Sequence, residues 1–362
     1  MAKQLLERLR PWRERIDALD QQILDLLNQR AQAALEIGKI KEAYNAEDSI
    51  LKPEREAQII THLQNLNTGP ITPASVQAVW SEVISACRGL EQKLRVAFLG
   101  PTGSFSEQAA LAHFGHFVEP VPSQSFDEVF RLVEVGEADV GMVPVENSTE
   151  GAVNRTLDLL LNTSLKVLGE HSLAIHHNLL TQSGSMEQVQ RIMAHPQALA
   201  QCHNWLATHY PQIQQDAASS NAEAARIASQ DASVAAIAGK KAAESWGLQV
   251  AHAGIQDDAQ NRTRFLAVGN IESLPSGNDK TSLIVAVPNR AGAVHEMLAP
   301  FAQHQVSMTR LESRPARTGQ WEYYFYMDLL GHQDEPAVQS ALQALKQQVA
   351  FCKILGSYPC QD

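Results

Sequence analysis

Apolar residues at alternating spacings of three and four predict that the chain forms one long helix up to about Tyr44. A seam of this kind packs against other helices. The same register places Arg30 at a core position, and Lys41 follows eleven residues later, which at about 100° per residue is nearly the same face. The seam positions are Leu9, Trp12, Ile16, Leu19, Ile23, Leu26, Ala33, Ile37 and Ile40.

Cations in a helical seam have two interpretations. A buried guanidinium is costly unless something anionic meets it, and no acid lies in the same seam. Either Arg30 and Lys41 bind an anionic ligand, or a Glu of a neighbouring helix pairs with Arg30, and the pattern leaves both open. Arg13 lies 17 residues before Arg30, roughly 100° away around the helix, so a second chain has to supply it to the same ligand.

Two shorter helices complete an all-α segment over residues 1–92, called the helical segment below. One begins at Pro53, a residue suited to a first turn, and the other follows Pro73. The first helix, about 60 Å long at 1.5 Å per residue, is too long for two short partners to cover. The exposed seam therefore predicts a dimer with intertwined long helices.

The hydrophobic pattern is different in residues 95–270, called the middle segment below. Short apolar strands (RVAFL, DVGMVPV, VAAIA, FLAVG) alternate there with helical patterns. Capping boxes occur at Ser125 to Glu128 and Ser220 to Glu223. This alternation predicts an α/β architecture with an open, mostly parallel sheet, divided into two lobes with a ligand between them.

After a polar linker, residues 280–362 form the C-terminal segment. Its patterns follow the order strand, helix, strand, strand, helix, strand, which is the α+β, ferredoxin-like βαββαβ order. Small domains of this type often bind regulatory ligands, although the fold alone does not establish that role.

Composition narrows the class of protein. A length of 362 residues with 44% apolar content fits two or three folded domains. No apolar run is long enough for a membrane span, and the charged N-terminus does not resemble a signal peptide. The net charge of −11 argues against nucleic-acid binding. Four scattered cysteines indicate reduced thiols and a cytoplasmic protein.

No cofactor or metal ion is expected. His295 and Glu296 do not extend to the HExxH pattern, and His176 and His177 form an isolated pair, more typical of polar residues at a strand end than of ligands.

The helical segment resembles the all-helical chorismate mutases. The motifs that carry the resemblance are RERIDALDQQILDLLNQR, EIGKIK and KPERE. The resemblance implies that Arg30 and the other subunit's copy of Arg13 bind the two carboxylates of chorismate, and that Lys41 and Glu91 flank its ether oxygen. Some family members have Gln in place of Glu91. The remaining pocket residues that the resemblance implies are Arg55, Glu56 and Cys87.

The middle segment resembles prephenate dehydratase, through GPTGSFSEQAA, PVENSTEGAV, HPQALAQC, SSNAEAA and NRTRF in this order. The resemblance implies two lobes like those of a periplasmic binding protein. It also implies that Thr263 is the central residue and hydrogen-bonds near the leaving hydroxyl of prephenate. His195 is either an acid or, as we favour, a turn residue before Pro196. The other implied substrate-binding residues are Ser104, Asn147, Ser148, Thr149, Asn261, Arg264 and Phe265.

The C-terminal segment resembles the ACT regulatory domains, which bind phenylalanine where two such domains pair. The matching motifs are GAV and ESRP, and a glycine at the first permits close approach of a ligand to the backbone. The residues implied to bind L-phenylalanine are Gly292, Ala293, Val294, Glu312, Ser313, Arg314 and Pro315.

Over its whole length the chain resembles the bifunctional chorismate mutase–prephenate dehydratases of phenylalanine biosynthesis. The resemblance implies that chorismate becomes prephenate, that prephenate becomes phenylpyruvate, and that L-phenylalanine inhibits a homodimer or higher oligomer. Two alternatives remain, an arogenate dehydratase and a two-lobed sensor that binds phenylalanine without turnover. The set of Arg30, Lys41, Arg55 and Thr263 argues against the sensor.

Overall fold

A computed structural model describes residues 2–44, 49–315 and 323–360. The helical segment consists of three helices as predicted: α1 (Ala2–Ala43), α2 (Pro53–Leu66) and α3 (Pro73–Glu91). A proline starts both shorter helices, and Thr72 caps α3 by accepting a hydrogen bond from the backbone N–H of Ser75. Most of the α1 seam is exposed on the single chain; Trp12, for example, is 64% exposed. Among the described residues, no helix combines the length and the hydrophobicity needed to span a bilayer.

The middle segment has two sheets, one in each lobe. The first lobe contains β1 (Arg95–Leu99), α4 (Phe105–Phe114), β2 (Glu119–Ser123), α5 (Phe126–Glu134), β3 (Val140–Asn147), β4 (Gly151–Ala152), α6 (Asn154–Asn162) and β5 (Lys166–Ala174). The second contains β6 (Asn178–Thr181), β7 (Arg191–Ala194), α7 (Pro196–Gln201), α8 (His203–His209), β8 (Gln214–Ala217), α9 (Asn221–Gln230), β9 (Val234–Ala238), α10 (Lys240–Trp246) and β10 (Gln249–His252). The chain then returns to the first lobe as β11 (Arg262–Gly269).

As predicted, most strands of each lobe run in the same direction, but both sheets are mixed. In the first lobe, with strand order β2-β1-β3-β11-β5, β1 pairs in parallel with β2 and β3, but β11 runs antiparallel to both of its neighbours. In the second lobe, with order β10-β6-β9-β7-β8, β6 is likewise antiparallel to its neighbours. The antiparallel strands β6 and β11 are those that enter a lobe directly from the other one, so their direction follows from the crossing between lobes.

Two stretches of chain cross between the lobes and form the hinge. Residues 175–177 lead from β5 to β6, and residues 253–261 lead from β10 to β11. The two crossings are hydrogen-bonded to each other: Ile255 N–H donates to the His177 carbonyl at 2.8 Å, and Ile175 N–H donates to the Asn261 carbonyl at 2.8 Å. The pivot between the lobes is therefore a short paired ribbon.

The C-terminal segment has the predicted βαββαβ order: β12 (Asp279–Val287), α11 (Ala293–Gln303), β13 (Met308–Pro315), β14 (Tyr323–Leu330), α12 (Pro336–Gln348) and β15 (Phe351–Pro359). Its antiparallel sheet has the order β13-β14-β12-β15. One face, including Leu283 and Phe325, packs on its own two helices. The other face, including Tyr326 and Tyr358, joins the core of the first lobe, so the regulatory-type domain is packed against the middle segment.

The serine half of both predicted capping boxes is present. The Ser125 and Ser220 hydroxyls accept hydrogen bonds from the backbone N–H groups of Glu128 and Glu223, at 3.2 and 3.0 Å. Ser104 caps α4 in the same way, through the N–H of Glu107.

Candidate active sites

In the helical segment, α1 and α3 bring two predicted site residues together. The Lys41 ammonium lies 3.8 Å from a carboxylate oxygen of Glu91, and both side chains are about one-quarter exposed, at 24% and 23%. Gly38 explains the close approach, because a Cβ there would lie 3.0 Å from Cγ of Glu91. The helix pair thus places a cation and an acid side by side at a partly open position.

A buried arginine that the sequence analysis did not single out lies three residues before Glu91 on α3. Arg88 donates to a carboxylate oxygen of Glu56 at 2.5 Å and to the Phe114 carbonyl at 2.7 Å. Glu56 is therefore held by α3. The one signal in the sequence is that Arg88 lies four residues after Ile84, on the second buried stripe of α3.

The other predicted residues of this site differ in their surroundings. Arg30 is half-buried, and within the described parts of the chain no acid lies within ion-pair distance of it. Cys87 is buried, and Arg55 is exposed. Arg13 lies 17 residues from Arg30 on the same helix, about 25 Å away at 1.5 Å per residue, so this chain alone does not bring the two together.

A second candidate site is a cavity of about 660 Å³ between the lobes of the middle segment. Predicted residues from the first lobe line it, and the second lobe contributes residues of the HPQALAQC and SSNAEAA motifs. The lining residues that matter below are Ser104, Asn147, Glu150, Thr263, Phe265, His177, His195 and Gln201.

A chain of hydrogen bonds leads from the hinge to Thr263. The Asn147 amide nitrogen donates to Thr263 Oγ1 at 2.9 Å and to Asn261 Oδ1 at 3.0 Å. The Asn261 amide nitrogen donates to Gln201 Oε1 at 3.0 Å, and the same oxygen lies 2.8 Å from Nε2 of His177. Asn261 is thus buried within the network and does not line the cavity.

Three predicted donors are used to shape this site. The Ser104 hydroxyl donates to the Leu99 carbonyl at 2.8 Å as well as capping α4. Ser148 Oγ accepts from the N–H of Arg262, and the N–H of Thr149 donates to Asn147 Oδ1, both at 2.9 Å. Ser148 and Thr149 do not line the cavity. These contacts fix the loop after β3 against β11.

Arg264 does not match its predicted role in substrate binding. Because side chains alternate along a strand, it points away from the cavity that Thr263 lines. It donates to Glu170 at 2.7 Å, Asp328 at 2.6 Å and Tyr358 at 3.1 Å. Burial alone would lower the pKa of Arg264, but its three partners together raise it well above its ordinary value. This residue joins the first lobe to the C-terminal sheet.

His195 has the turn role that we favoured and also lines the cavity. It precedes α7, and its Nδ1 accepts a hydrogen bond from the N–H of Gln197 at 3.3 Å. An imidazole that accepts at Nδ1 carries its proton on Nε2 when neutral.

In the C-terminal segment the two predicted phenylalanine motifs lie on different elements, GAV at the start of α11 and ESRP on β13. Gly292, with φ +83°, precedes α11 in the left-handed conformation that favours glycine. Ala293 is buried and Val294 exposed. On β13, Ser313 and Pro315 are exposed and Glu312 is half-buried.

Arg314 does not match its predicted contact with phenylalanine. Its buried guanidinium donates to the Asn154 carbonyl at 2.6 Å and to Asp158 at 2.7 Å, both on α6 of the first lobe. Arg310, two alternations earlier on the same face, donates to Glu146 at 2.8 Å. Strand β13, which carries ESRP, thus hydrogen-bonds to residues on both sides of the loop beside the cavity, residues 147–153.

Comparison with known proteins identifies all three segments. Family models match as chorismate mutase type II at residues 12–92, prephenate dehydratase at 96–273 and ACT domain at 281–347. A bifunctional chorismate mutase/prephenate dehydratase of Stutzerimonas stutzeri is 45% identical over 357 residues, which cover 98% of each chain. The chain belongs to this family. It is therefore a bifunctional enzyme with chorismate mutase and prephenate dehydratase activities.

Two solved structures resemble the part of this bifunctional enzyme that follows the mutase segment. Prephenate dehydratase from Arthrobacter aurescens, in complex with L-Phe, is 33% identical, with a TM-score of 0.68, and the match covers 74% of this chain and 90% of that one. GqqA, described as a quorum quenching acylase, is 30% identical with the same TM-score, and the match covers 74% of this chain and 98% of that one.

Proposed function

We propose that this bifunctional enzyme works as a homodimer, rearranges chorismate among its helices, converts prephenate to phenylpyruvate between its lobes, and is inhibited by L-phenylalanine bound to its ACT domain. The observation that carries the dehydratase assignment is the position of Thr263, which lines the interlobe cavity and accepts a hydrogen bond from Asn147.

The mutase step needs positioning and electrostatics. A Claisen rearrangement requires no covalent catalysis; it requires the reactive conformer to be held and the charge that develops on the ether oxygen to be stabilised. Arg30, which lacks an acid partner in the described chain, is suited to a substrate carboxylate. The adjacent Lys41 and Glu91 are suited to the ether oxygen, with Arg13 of a second subunit at the other carboxylate.

The dehydratase step expels the C4 hydroxyl of prephenate as the ring carboxylate leaves as CO₂ and the ring becomes aromatic. The departing hydroxide takes up a proton and leaves as water. Thr263 Oγ1 already accepts a hydrogen bond from Asn147, so its own hydrogen is free to bond the departing oxygen. A Thr hydroxyl is too weak an acid to supply the proton unaided, so we assign Thr263 the role of orienting and stabilising the leaving group.

Feedback inhibition requires phenylalanine to prefer one arrangement of the enzyme over another. The β13 contacts support such coupling: Arg310 bonds to Glu146 before the cavity loop, and Arg314 bonds to α6 after it. A ligand that moves β13 therefore acts on the loop beside the cavity. The complex of the related Arthrobacter aurescens enzyme with L-Phe agrees with this class of ligand.

The dehydratase assignment is tested with Thr263→Ala and Thr263→Ser. We expect the Ala variant to lose phenylpyruvate formation and keep mutase activity, because only the second site is altered. The Ser variant, which restores the hydroxyl, should recover a measurable part of the rate. Substantial phenylpyruvate formation by Thr263→Ala would refute the assignment. A separate experiment, competition between prephenate and arogenate, would show which of the two is the preferred substrate.

A further inference from the structure

We propose that His177, at the hinge between the lobes, is a positioning residue for dehydration: it holds Gln201 at the far end of the hydrogen-bond chain that positions Thr263. The inference rests on the proposed role of Thr263. His177 is 2% exposed, and its ring packs edge-on against Phe105, with 5.5 Å between ring centres.

At the Asn147 end of the hydrogen-bond chain, backbone N–H groups fix which atom donates and which accepts. Asn147 Oδ1 accepts from the N–H groups of Thr149 and Glu150, at 2.9 and 3.2 Å. Backbone N–H groups only donate, so the amide nitrogen of Asn147 has to face Thr263 and Asn261.

The remaining orientations follow from that constraint. Asn261 has to present its oxygen to Asn147, which leaves its amide nitrogen to donate to Gln201 Oε1. The same Gln201 oxygen is 2.8 Å from Nε2 of His177. Since an oxygen cannot donate here, His177 has to carry its proton on Nε2.

The other nitrogen of His177 supports the neutral form. Nδ1 is buried and has no hydrogen-bond partner among the described residues. Burial lowers the pKa of His177, because a charged ring would be poorly solvated there. The imidazole thus acts as a single donor aimed at Gln201.

The hydrogen-bond chain joins the two lobes through the hinge. Gln201 ends α7 in the second lobe, Asn147 and Thr263 belong to the first, and His177 and Asn261 lie on the two hinge crossings. His177 and Asn261 together hold the Gln201 oxygen at the pivot. Without the His177 donor, the Gln201 oxygen keeps only the hydrogen bond from Asn261, and the lobes lose a fixed contact at the hinge.

The test compares His177→Phe, which removes the donor, with His177→Gln, whose amide nitrogen can replace Nε2. His176→Phe is the matched control, because His176 is the exposed neighbour on the same crossing and its ring hydrogen-bonds only to Gln256 among the described residues. Dehydratase kcat and KM are measured with prephenate, with thermal melting as the check on folding.

We expect His177→Phe to lower kcat about tenfold, as for loss of one buried hydrogen bond, with KM changed less than about twofold. His177→Gln should recover most of kcat, and His176→Phe should match the unaltered enzyme. Unchanged kcat in His177→Phe, an effect on KM alone, or a Gln variant as slow as the Phe variant would overturn the proposal. If instead Thr263→Ala keeps its activity, the proposed role of Thr263 fails first and by a different measurement.

Discussion

We propose that Glu91 determines how the mutase activity responds to pH. A carboxyl group can donate a hydrogen bond to an ether oxygen only when it is protonated, whereas a Gln amide donates at any pH. Glu91 lies 3.8 Å from the Lys41 ammonium. We therefore expect mutase activity to fall as pH rises, and Glu91→Gln to give a flatter profile. Identical pH profiles for the two proteins would rule out this role for Glu91.

A substitution at Gly38 is expected to change mutase activity without lowering the stability of the helix. Replacing a helical Gly by Ala adds about 1 kcal/mol of helix propensity, but the new Cβ would lie 3.0 Å from Cγ of Glu91 and 3.2 Å from its Cδ. We expect Gly38→Ala to displace Glu91 and lower mutase kcat about tenfold, without lowering the melting temperature. Full mutase activity in this variant would mean that the position of Glu91 is not critical.

The sequence motifs identified residue types better than side-chain directions. The family resemblances placed Lys41 with Glu91, and Asn147 with Thr263, and the structure brings both pairs together. They did not reveal that Arg264 and Arg314 point to other segments. Those directions depend on which face of a strand meets a neighbouring domain, and alternation within one strand does not say which face that is.

At the scale of elements, the C-terminal sheet holds α6 along its length. Arg314 bonds to the Asn154 carbonyl in its first turn, Tyr326 to the Leu157 carbonyl in its middle, and Lys353 to the Leu160 carbonyl near its end. Residues at the start of α6 also line the cavity. We therefore propose that the ACT domain acts on the dehydratase site through this helix.

This connection predicts that Arg314→Gln uncouples inhibition from binding. We expect the variant to bind L-phenylalanine by calorimetry and to keep dehydratase activity, while the concentration for half-inhibition rises at least about fivefold, the lower end of typical coupling energies. Arg155→Gln is the matched control, since Arg155 lies on α6, the helix that Arg314 contacts, but pairs with the exposed Asp127. Unchanged inhibition in Arg314→Gln would exclude this route.

The order of elements and the direction of most strands could be predicted from the sequence, but the reversed strands could not. The strands containing RVAFL, VAAIA and FLAVG lie where their apolar runs are, and proline begins α2 and α3 as expected. Each apolar run, however, is compatible with either a parallel or an antiparallel partner. The antiparallel strands β6 and β11 arise from the crossing between lobes, and no local pattern encodes that path.

At the scale of the whole molecule, the exposed α1 seam predicts that two chains share each mutase site. A helical face with Trp12, Ile16 and Ile23 more than half exposed is unusual for an isolated chain. In an isologous dimer each chain contributes the same surface to its partner. Arg13 of one chain can then reach the site that contains Arg30 of the other.

Co-expression of Arg13→Ala and Arg30→Ala chains tests that arrangement. Each variant alone should lack mutase activity, whereas a mixed dimer contains one intact site. Random pairing should therefore restore about a quarter of the mutase activity of the unaltered enzyme, with dehydratase activity as the measure of total enzyme. No recovery in purified mixed dimers would contradict a shared site.

One chain carries both steps, and we propose that it also carries their feedback control. The most direct measurement incubates the purified enzyme with chorismate and follows chorismate loss and phenylpyruvate formation, with and without L-phenylalanine. We expect phenylpyruvate to form and its rate to fall when phenylalanine is added. Chorismate loss with accumulation of prephenate alone, or phenylalanine binding without any turnover, would contradict the account.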